Sequence, residues 1–255
     1  MRFSGKVAIV TGGAGGVGKA LVRKLTREGA AVMVADVSAE GCRSLGEEIE
    51  TAGGTMRFSV GDLREKTYCE QVVADTLETF GGVDILVNNA GIIPRGTILE
   101  TSDEMWHTAL DVNLTAMFYL CRAAIPPMKE RGGGAIVNTS SVWGVYPGPQ
   151  HVAYCTSKGA VASFTKSLGR DHAPDGIRVN AVCPHEINTP MLRSGFERRG
   201  LDPDRAVAEL NKTVPLGHIA EPEEIADVIA FLASGDSRYI AGETVEVTGA
   251  KPVAN

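Results

Sequence analysis

A short apolar run that ends in a cluster of glycines constrains this chain more than any other feature. Val7-Ala8-Ile9-Val10 leads into Thr11-Gly12-Gly13-Ala14-Gly15-Gly16-Val17-Gly18, and an amphipathic stretch from Lys19 to Glu28 follows. Apolar residues in a short unbroken run, three of them β-branched, predict a buried strand. Glycines let the chain turn sharply and let backbone come close to a ligand. The helix behind them offers unpaired N–H groups and the positive end of its dipole. The unit is a cradle for phosphate groups, and its place between a strand and a helix makes the reading much stronger than the glycines alone.

The same alternation continues along the chain. Ala31–Ala35, Met56–Val60, Asp84–Val87, Ala135–Asn138, Ile177–Val182 and Thr244–Val247 read as six further strands, with helical patterns between most of them. Near-continuous apolar strands imply burial on both faces and therefore a parallel sheet with right-handed crossovers. The expectation is an α/β fold, a single Rossmann-type, doubly wound sheet of seven parallel strands spanning 1–255. Gly132-Gly133-Gly134 reads as a helix C-cap rather than a domain boundary. Pro184 to Leu216 reads as one long irregular segment, a substrate-binding loop over about 185–216.

Composition excludes several classes. With 44% apolar and 22% charged residues in 255, the chain carries enough apolar material for one large core. A net charge of −6 argues against nucleic acid as a partner. The cysteines, Cys42, Cys69, Cys121, Cys155 and Cys183, are odd in number and lack C-x-x-C spacing, and the histidines form no H-E-x-x-H. Reduced thiols and no metal site are expected. No signal segment is visible, and no apolar stretch nears the ~20 residues that span a bilayer, so a soluble cytoplasmic protein with no membrane partner is expected.

Asp36 closes the second strand, 18 residues after Gly18. A carboxylate there accepts hydrogen bonds from both ribose hydroxyls of an adenosine and repels the extra phosphate of NADP. No Arg or Lys lies between Thr11 and Gly18 to offset that repulsion. NAD is therefore the expected cofactor, although Asp36 also suits a helix cap. Tyr154 and Lys158 stand one helical turn apart within a predicted helix, Ala153 to Leu168. Oxidising an alcohol requires a base for its hydroxyl proton. An ammonium beside a phenol favours phenolate and suits Tyr154 to that task. Ser141, 13 residues earlier at the end of the fifth strand, has a hydroxyl suited to holding a substrate oxygen as charge develops. Its neighbour Ser140 is a rival for that place.

With these motifs in order, the chain resembles the short-chain dehydrogenase/reductase family over nearly its whole length. Thr11, Gly12, Gly16 and Gly18 match its glycine pattern, Asp62-Leu63 the acid–leucine pair after the third strand, and Asn88-Asn89-Ala90-Gly91 its N-N-A-G motif. Asn113, Ser140-Ser141 and Tyr154-x-x-x-Lys158 complete the set. The resemblance implies a hydride-transferring oxidoreductase acting on a small secondary alcohol or ketone: a hydroxy acid, a sugar or polyol, or a cyclic alcohol. It implies that Asn113, Ser141, Tyr154 and Lys158 are catalytic, with Asn113 holding a relay water and Lys158 binding the nicotinamide ribose. It implies cofactor contacts from Gly12, Gly16, Val17, Gly18, Asp36, Asp62, Leu63, Asn89, Ala90, Gly91, Tyr154, Lys158, Pro184, Ile187 and Thr189, and a homotetramer or homodimer. A non-catalytic NAD-binding regulatory or scaffold protein on the same fold is the alternative.

Two positions depart from the family pattern. His185 follows Pro184 where a glycine is usual, so it is either a tolerated loop residue or a specificity element. Thr248-Gly249-Ala250 replaces the usual Asp-Gly-Gly. Arg95, Trp143, His151, His185 and Arg193 are candidates for the substrate pocket, alongside Ser141. The four basic ones suit an anionic or highly hydroxylated substrate, or are charges that exposed loops carry anyway. Gly195 to Arg205 reads as a lid, or as a solvated surface helix.

Overall fold

The structure, a computed structural model, describes residues 1–252; residues 253–255 of the expected 1–255 domain lie outside the described residues. The chain begins with β1 (Val7–Thr11), α1 (Gly16–Arg27), β2 (Ala31–Asp36), α2 (Ala39–Thr51), β3 (Thr55–Val60), α3 (Lys66–Phe80) and β4 (Ile85–Asn88). It continues with α4 (Asp103–Leu110), a π-helical turn (Asp111–Thr115), α5 (Ala116–Glu130), β5 (Gly134–Thr139), α6 (Val142–Val145) and α7 (Val152–His172). The last elements are β6 (Ile177–Pro184), α8 (Pro190–Glu197), α9 (Pro203–Asn211), α10 (Pro222–Ala233) and β7 (Thr244–Val247). The seven strands form one parallel sheet in the order β3-β2-β1-β4-β5-β6-β7. The expected α/β fold with seven parallel strands is the one observed.

Period-two alternation splits the buried residues between two layers. Ala8 and Val10 of β1, Val32 and Val34 of β2 and Val137 of β5 pack against Leu21, Leu25, Leu45, Ile49, Ile225 and Ile229 of α1, α2 and α10. Ile9, Met33, Leu86, Ile136 and Val179 face the other way, onto Val72, Val73, Leu120, Ala124 and Met128 of α3 and α5. Reversal of the strand order at β1 and β4 opens a crevice at the carboxyl ends of the strands, where a doubly wound sheet binds its ligands.

Pro184 to Leu216 is not one irregular loop. Thr189 Oγ1 caps α8 by accepting from Leu192 N, and Asp202 caps α9 by accepting from Arg205 N. In both helices proline occupies the first turn, where its missing N–H costs nothing. Leu192, Phe196, Val207, Leu210, Val214 and Ile219 form a small third core between these helices and the segment that follows. Gly132, at φ +82°, ends α5 as a left-handed cap before β5, as expected.

Candidate active site

The glycine turn is shaped by close backbone approaches. Gly12 has φ +62°, and a Cβ there would stand 2.9 Å from Ala90 Cα. A Cβ on Gly18 would stand 2.0 Å from the Gly12 carbonyl oxygen, so α1 reaches the turn only because that position is bare. Gly15, by contrast, faces open space on the outside of the turn. A Cβ on Gly16 would approach Thr189 Cγ2 at 3.3 Å, which puts the segment before α8 directly over the loop. The turn is locked to the next loop: Asn89 N and Ala90 N donate to Thr11 Oγ1, and Asn89 Nδ2 donates to the Thr11 and Gly12 carbonyls. Asp36 accepts from Ala14 N at 3.0 Å and Ser38 N at 2.9 Å, so its carboxylate is fixed at the rim of the same turn. The bare cradle, the half-exposed helix N-terminus and the fixed carboxylate fit a dinucleotide.

Around this cleft, the expected residues fall into two groups. Asp62 is bonded to the Arg64 side chain and backbone. Leu63 is buried in the second core layer, and Ile187 packs against the first. Val17 is buried at the start of α1, and Pro184 ends β6.

The second cluster lies beyond Gly91. Asn113 sits fully buried in the π-helical turn between α4 and α5. The extra residue in that turn rotates its side chain out of the continuous helical pattern that the sequence suggested. Asn113 Oδ1 accepts from Ile92 N, and Nδ2 donates to the Ile92 carbonyl and to Ser157 Oγ. Ser157 Oγ donates in turn to the Tyr154 carbonyl at 2.8 Å, which ties the π-turn to α7. Lys158 Nζ donates to the Thr139 carbonyl at 2.7 Å and lies 5.9 Å from the centre of the Tyr154 ring. A Cβ on Gly91 would stand 3.3 Å from Lys158 Nζ and 3.2 Å from Asn113 Oδ1. Ser140 Oγ donates to the Lys158 carbonyl and so braces α7, while Ser141 Oγ accepts from Trp143 N at the start of α6 and stays free to act on the Tyr154 phenol. The geometry separates the two serines.

Burial dominates the electrostatics here. It pushes the Tyr154 phenol up to about 12, against the smaller opposing effect of Ser141. It pushes the Lys158 ammonium down to about 8. The sequence led us to expect a phenol with a depressed pKa. Desolvation of this buried pair outweighs an ammonium that makes no hydrogen bond to the phenol oxygen. In this state the phenol holds its proton.

Of the substrate candidates, the structure unites Arg95, Trp143 and His151 with Tyr154. The His151 ring lies 4.5 Å from Trp143, and both rings stand edge-on to Tyr154, at 6.5 and 6.3 Å. Arg95 Nη1 lies 3.1 Å from His151 Nε2. Arg193 does not join them, because Asn188 and Asp204 hold its guanidinium. His185 does not join them either. Its imidazole lies against the Glu186 carboxylate, which also accepts from Lys251 Nζ at 2.7 Å. Burial raises the Glu186 pKa, but these two partners outweigh it and hold the carboxyl at about 2. His185 therefore helps clasp the C-terminal segment. Nearby, Ala250 has φ +64°, a left-handed conformation that suits the glycine usual there.

Sequence reasoning passed over Ser157, Thr139 and a buried amide ladder. In that ladder Asn88 Nδ2 donates to Asn138 Oδ1, and Asn138 Nδ2 to Thr165 Oγ1. Asparagines inside the apolar strands β4 and β5 were the available signal, since buried amides need partners.

Comparisons with known proteins agree with this geometry. A family model described as short chain dehydrogenase matches residues 6–200. A 3-oxoacyl-[acyl-carrier-protein] reductase of Thermotoga maritima is 36% identical over 249 residues, covering 98% of each chain. The crystal structure of levodione reductase superposes with a TM-score of 0.94 at 31% identity, covering 100% of both chains. An actinorhodin polyketide ketoreductase variant, solved with NADPH, gives 0.92 at 34% identity over 98% of this chain and 97% of that one. Two folded reductases, a close sequence relative and a family match through α8 leave one assignment: this chain is an oxidoreductase of the short-chain dehydrogenase family.

Proposed function

We propose that the protein oxidises a secondary alcohol of a small molecule, or reduces the matching ketone, with NAD(H). The observation that carries this reading is the convergence of Ser141, Tyr154, Lys158 and Asn113 beside the glycine cradle. A bound nicotinamide supplies the hydride acceptor or donor and, when oxidised, a positive charge beside the phenol. Tyr154 passes the proton to or from the substrate oxygen. Ser141, whose side chain favours the phenolate form of Tyr154, steadies the oxygen while charge develops on it. Lys158 keeps an ammonium beside the ring and binds the nicotinamide ribose, and Asn113 holds the π-turn that orders a relay water. Gly12, Gly16, Gly18, Asn89, Ala90 and Gly91 form the floor for the dinucleotide.

NAD over NADP rests on Asp36, whose carboxylate is oriented by two backbone donors at the end of β2. The protein is proposed to be cytoplasmic. All five cysteines are buried free thiols, and no helix among the described residues is long and apolar enough to cross a membrane. The test is NADH absorbance with a panel of secondary alcohols, with NAD and NADP in parallel. Tyr154→Phe is expected to keep NADH binding and to lower turnover on the order of 10²–10⁴-fold. Near-normal turnover in that variant would remove Tyr154 from the mechanism.

A further inference from the structure

Arg95 stands beside the catalytic cleft with its charge unspent. Its partner, His151, has Nδ1 2.7 Å from the Pro149 carbonyl, which can only accept, so Nδ1 carries the ring proton. Burial lowers the pKa of this imidazole and so favours its neutral form. Nε2 is then a lone-pair acceptor for Arg95 Nη1, and the contact aims the guanidinium without neutralising it. A guanidinium has five N–H donors, and this contact uses one.

The pairing is built into the backbone. Gln150 takes φ +59°, a conformation that costs a side-chain-bearing residue. It turns the chain so that Gly96 N donates to the Gln150 carbonyl at 2.7 Å, and Gly96 pairs with His151 as a β-bridge. Arg95 and His151 are thereby held side by side. Across the cleft, α8 presents Gly195 where a Cβ would stand 2.9 Å from Arg95 Nη2. The end of α8 adds Arg198 and Arg199. Arg199 Nε donates to the Gly195 carbonyl, and its guanidinium lies over Phe196. Burial, then the charges of Arg199 and Arg198, lower the Arg95 pKa. Among the described residues no carboxylate oxygen lies within 4.0 Å of any of the three guanidinium groups. In a chain of net charge −6, three arginines around one cleft without a counter-ion are a site for an anion.

We propose that Arg95, backed by Arg199 and Arg198, binds an oxyanion carried by the substrate. The chain would then act on secondary alcohols or ketones bearing a carboxylate, sulfonate or phosphate group. This rests on reading the cleft as the dehydrogenase site. His151 is the positioning residue, and Trp143 walls the path from the anion to Tyr154.

The protein saturated with NADH is titrated with sulfate and with malonate, following the fluorescence of the bound dinucleotide. Both anions are expected to bind. Arg95→Gln should weaken them about ten- to a hundredfold. Arg199→Gln should weaken them less, and NADH affinity should hold in both variants. In turnover, matched alcohols are compared as free carboxylate and methyl ester. The wild type should prefer the acid in kcat/KM, and Arg95→Gln should lose most of that preference through KM. Equal anion affinity and equal acid-to-ester preference in wild type and Arg95→Gln would overturn the proposal. Anion binding decides the matter even if no alcohol in the panel turns over. A protein that binds no NADH would sink the dehydrogenase reading and this proposal with it.

Discussion

At the scale of single residues, the chain carries a buried base whose cost has a pH signature. Lys158 has its pKa lowered from 10.5 to about 8 by burial. Below pH 8 the folded and unfolded chains both carry the ammonium, and the folded one bears its full desolvation. Between about 8 and 10.5 the folded chain has released a proton that the unfolded chain keeps, so stability rises with pH. Tyr154 acts in the opposite direction, but only from its ordinary 10.0 up to about 12. The buried Cys42 and Cys69 thiols, raised from 9.0 to about 11 and about 12, also oppose the gain above pH 9, and comparison with Lys158→Met removes their part. Wild type should gain on the order of 2 kcal/mol relative to Lys158→Met across the window from about pH 8 to 10, read by urea unfolding at each pH. A constant difference between the two proteins would mean that the ammonium is not desolvated. The residues themselves were legible, because Tyr154 and Lys158 sit one turn apart in the sequence. Their electrostatics were not, because enclosure is a property of the packed chain and spacing says nothing about it.

At the scale of elements, strands were easier to read than helices. All seven strands stand within a residue or two of where runs such as Ile177–Val182 place them; the five inner ones carry the apolar signature of burial on both faces, while the edge strands β3 and β7 are largely open on one side. The stretch after Pro184 was misread, although Thr189-Pro190 and Asp202-Pro203 each spell a cap followed by a first-turn proline. Polar and charged residues between those caps hid helices whose apolar faces are only a few residues wide. The π-turn at Asn113 had no local signal, since its extra residue is set by the contacts of Asn113 with Ile92 and Ser157. Glycines within helices show how context decides sign. A Cβ on Gly46 in α2 would meet nothing closer than 4.0 Å, whereas one on Gly169 in α7 would stand 2.5 Å from Gly242 Cα. Gly46→Ala should stabilise the protein by roughly 0.5–1 kcal/mol through helix propensity. Gly169→Ala should destabilise it by about 1–3 kcal/mol, because backbone must move. Denaturant midpoints for the pair check both signs at once.

At the scale of the whole molecule, the two faces of the sheet are spent on the core and the crevice at the strand ends is left for ligand. Other surfaces are less settled. Phe118 on α5 is 44% exposed under the Arg122 guanidinium, and Tyr239 before β7 is fully exposed. Exposed aromatic groups of this kind suit contacts between copies of the chain, which the family resemblance implies as a homotetramer or homodimer. The cofactor should act on the molecule as a unit, because the glycine turn, Asp36, the Asn89 loop and the segment before α8 belong to both halves of the sheet. A ligand held by all of them stabilises the folded chain by mass action, about 2.7 kcal/mol at a hundred times its dissociation constant. For a chain of this length each kcal/mol moves Tm by roughly 2–4 °C, so NADH should raise Tm by about 5–10 °C at that level. NADPH at equal concentration should raise it far less, because its extra phosphate would lie against the Asp36 carboxylate. In Asp36→Ala the NADH shift should shrink and the NADPH shift grow until the two approach each other. A variant that still separated the two nucleotides as wild type does would place the discrimination somewhere other than the end of β2.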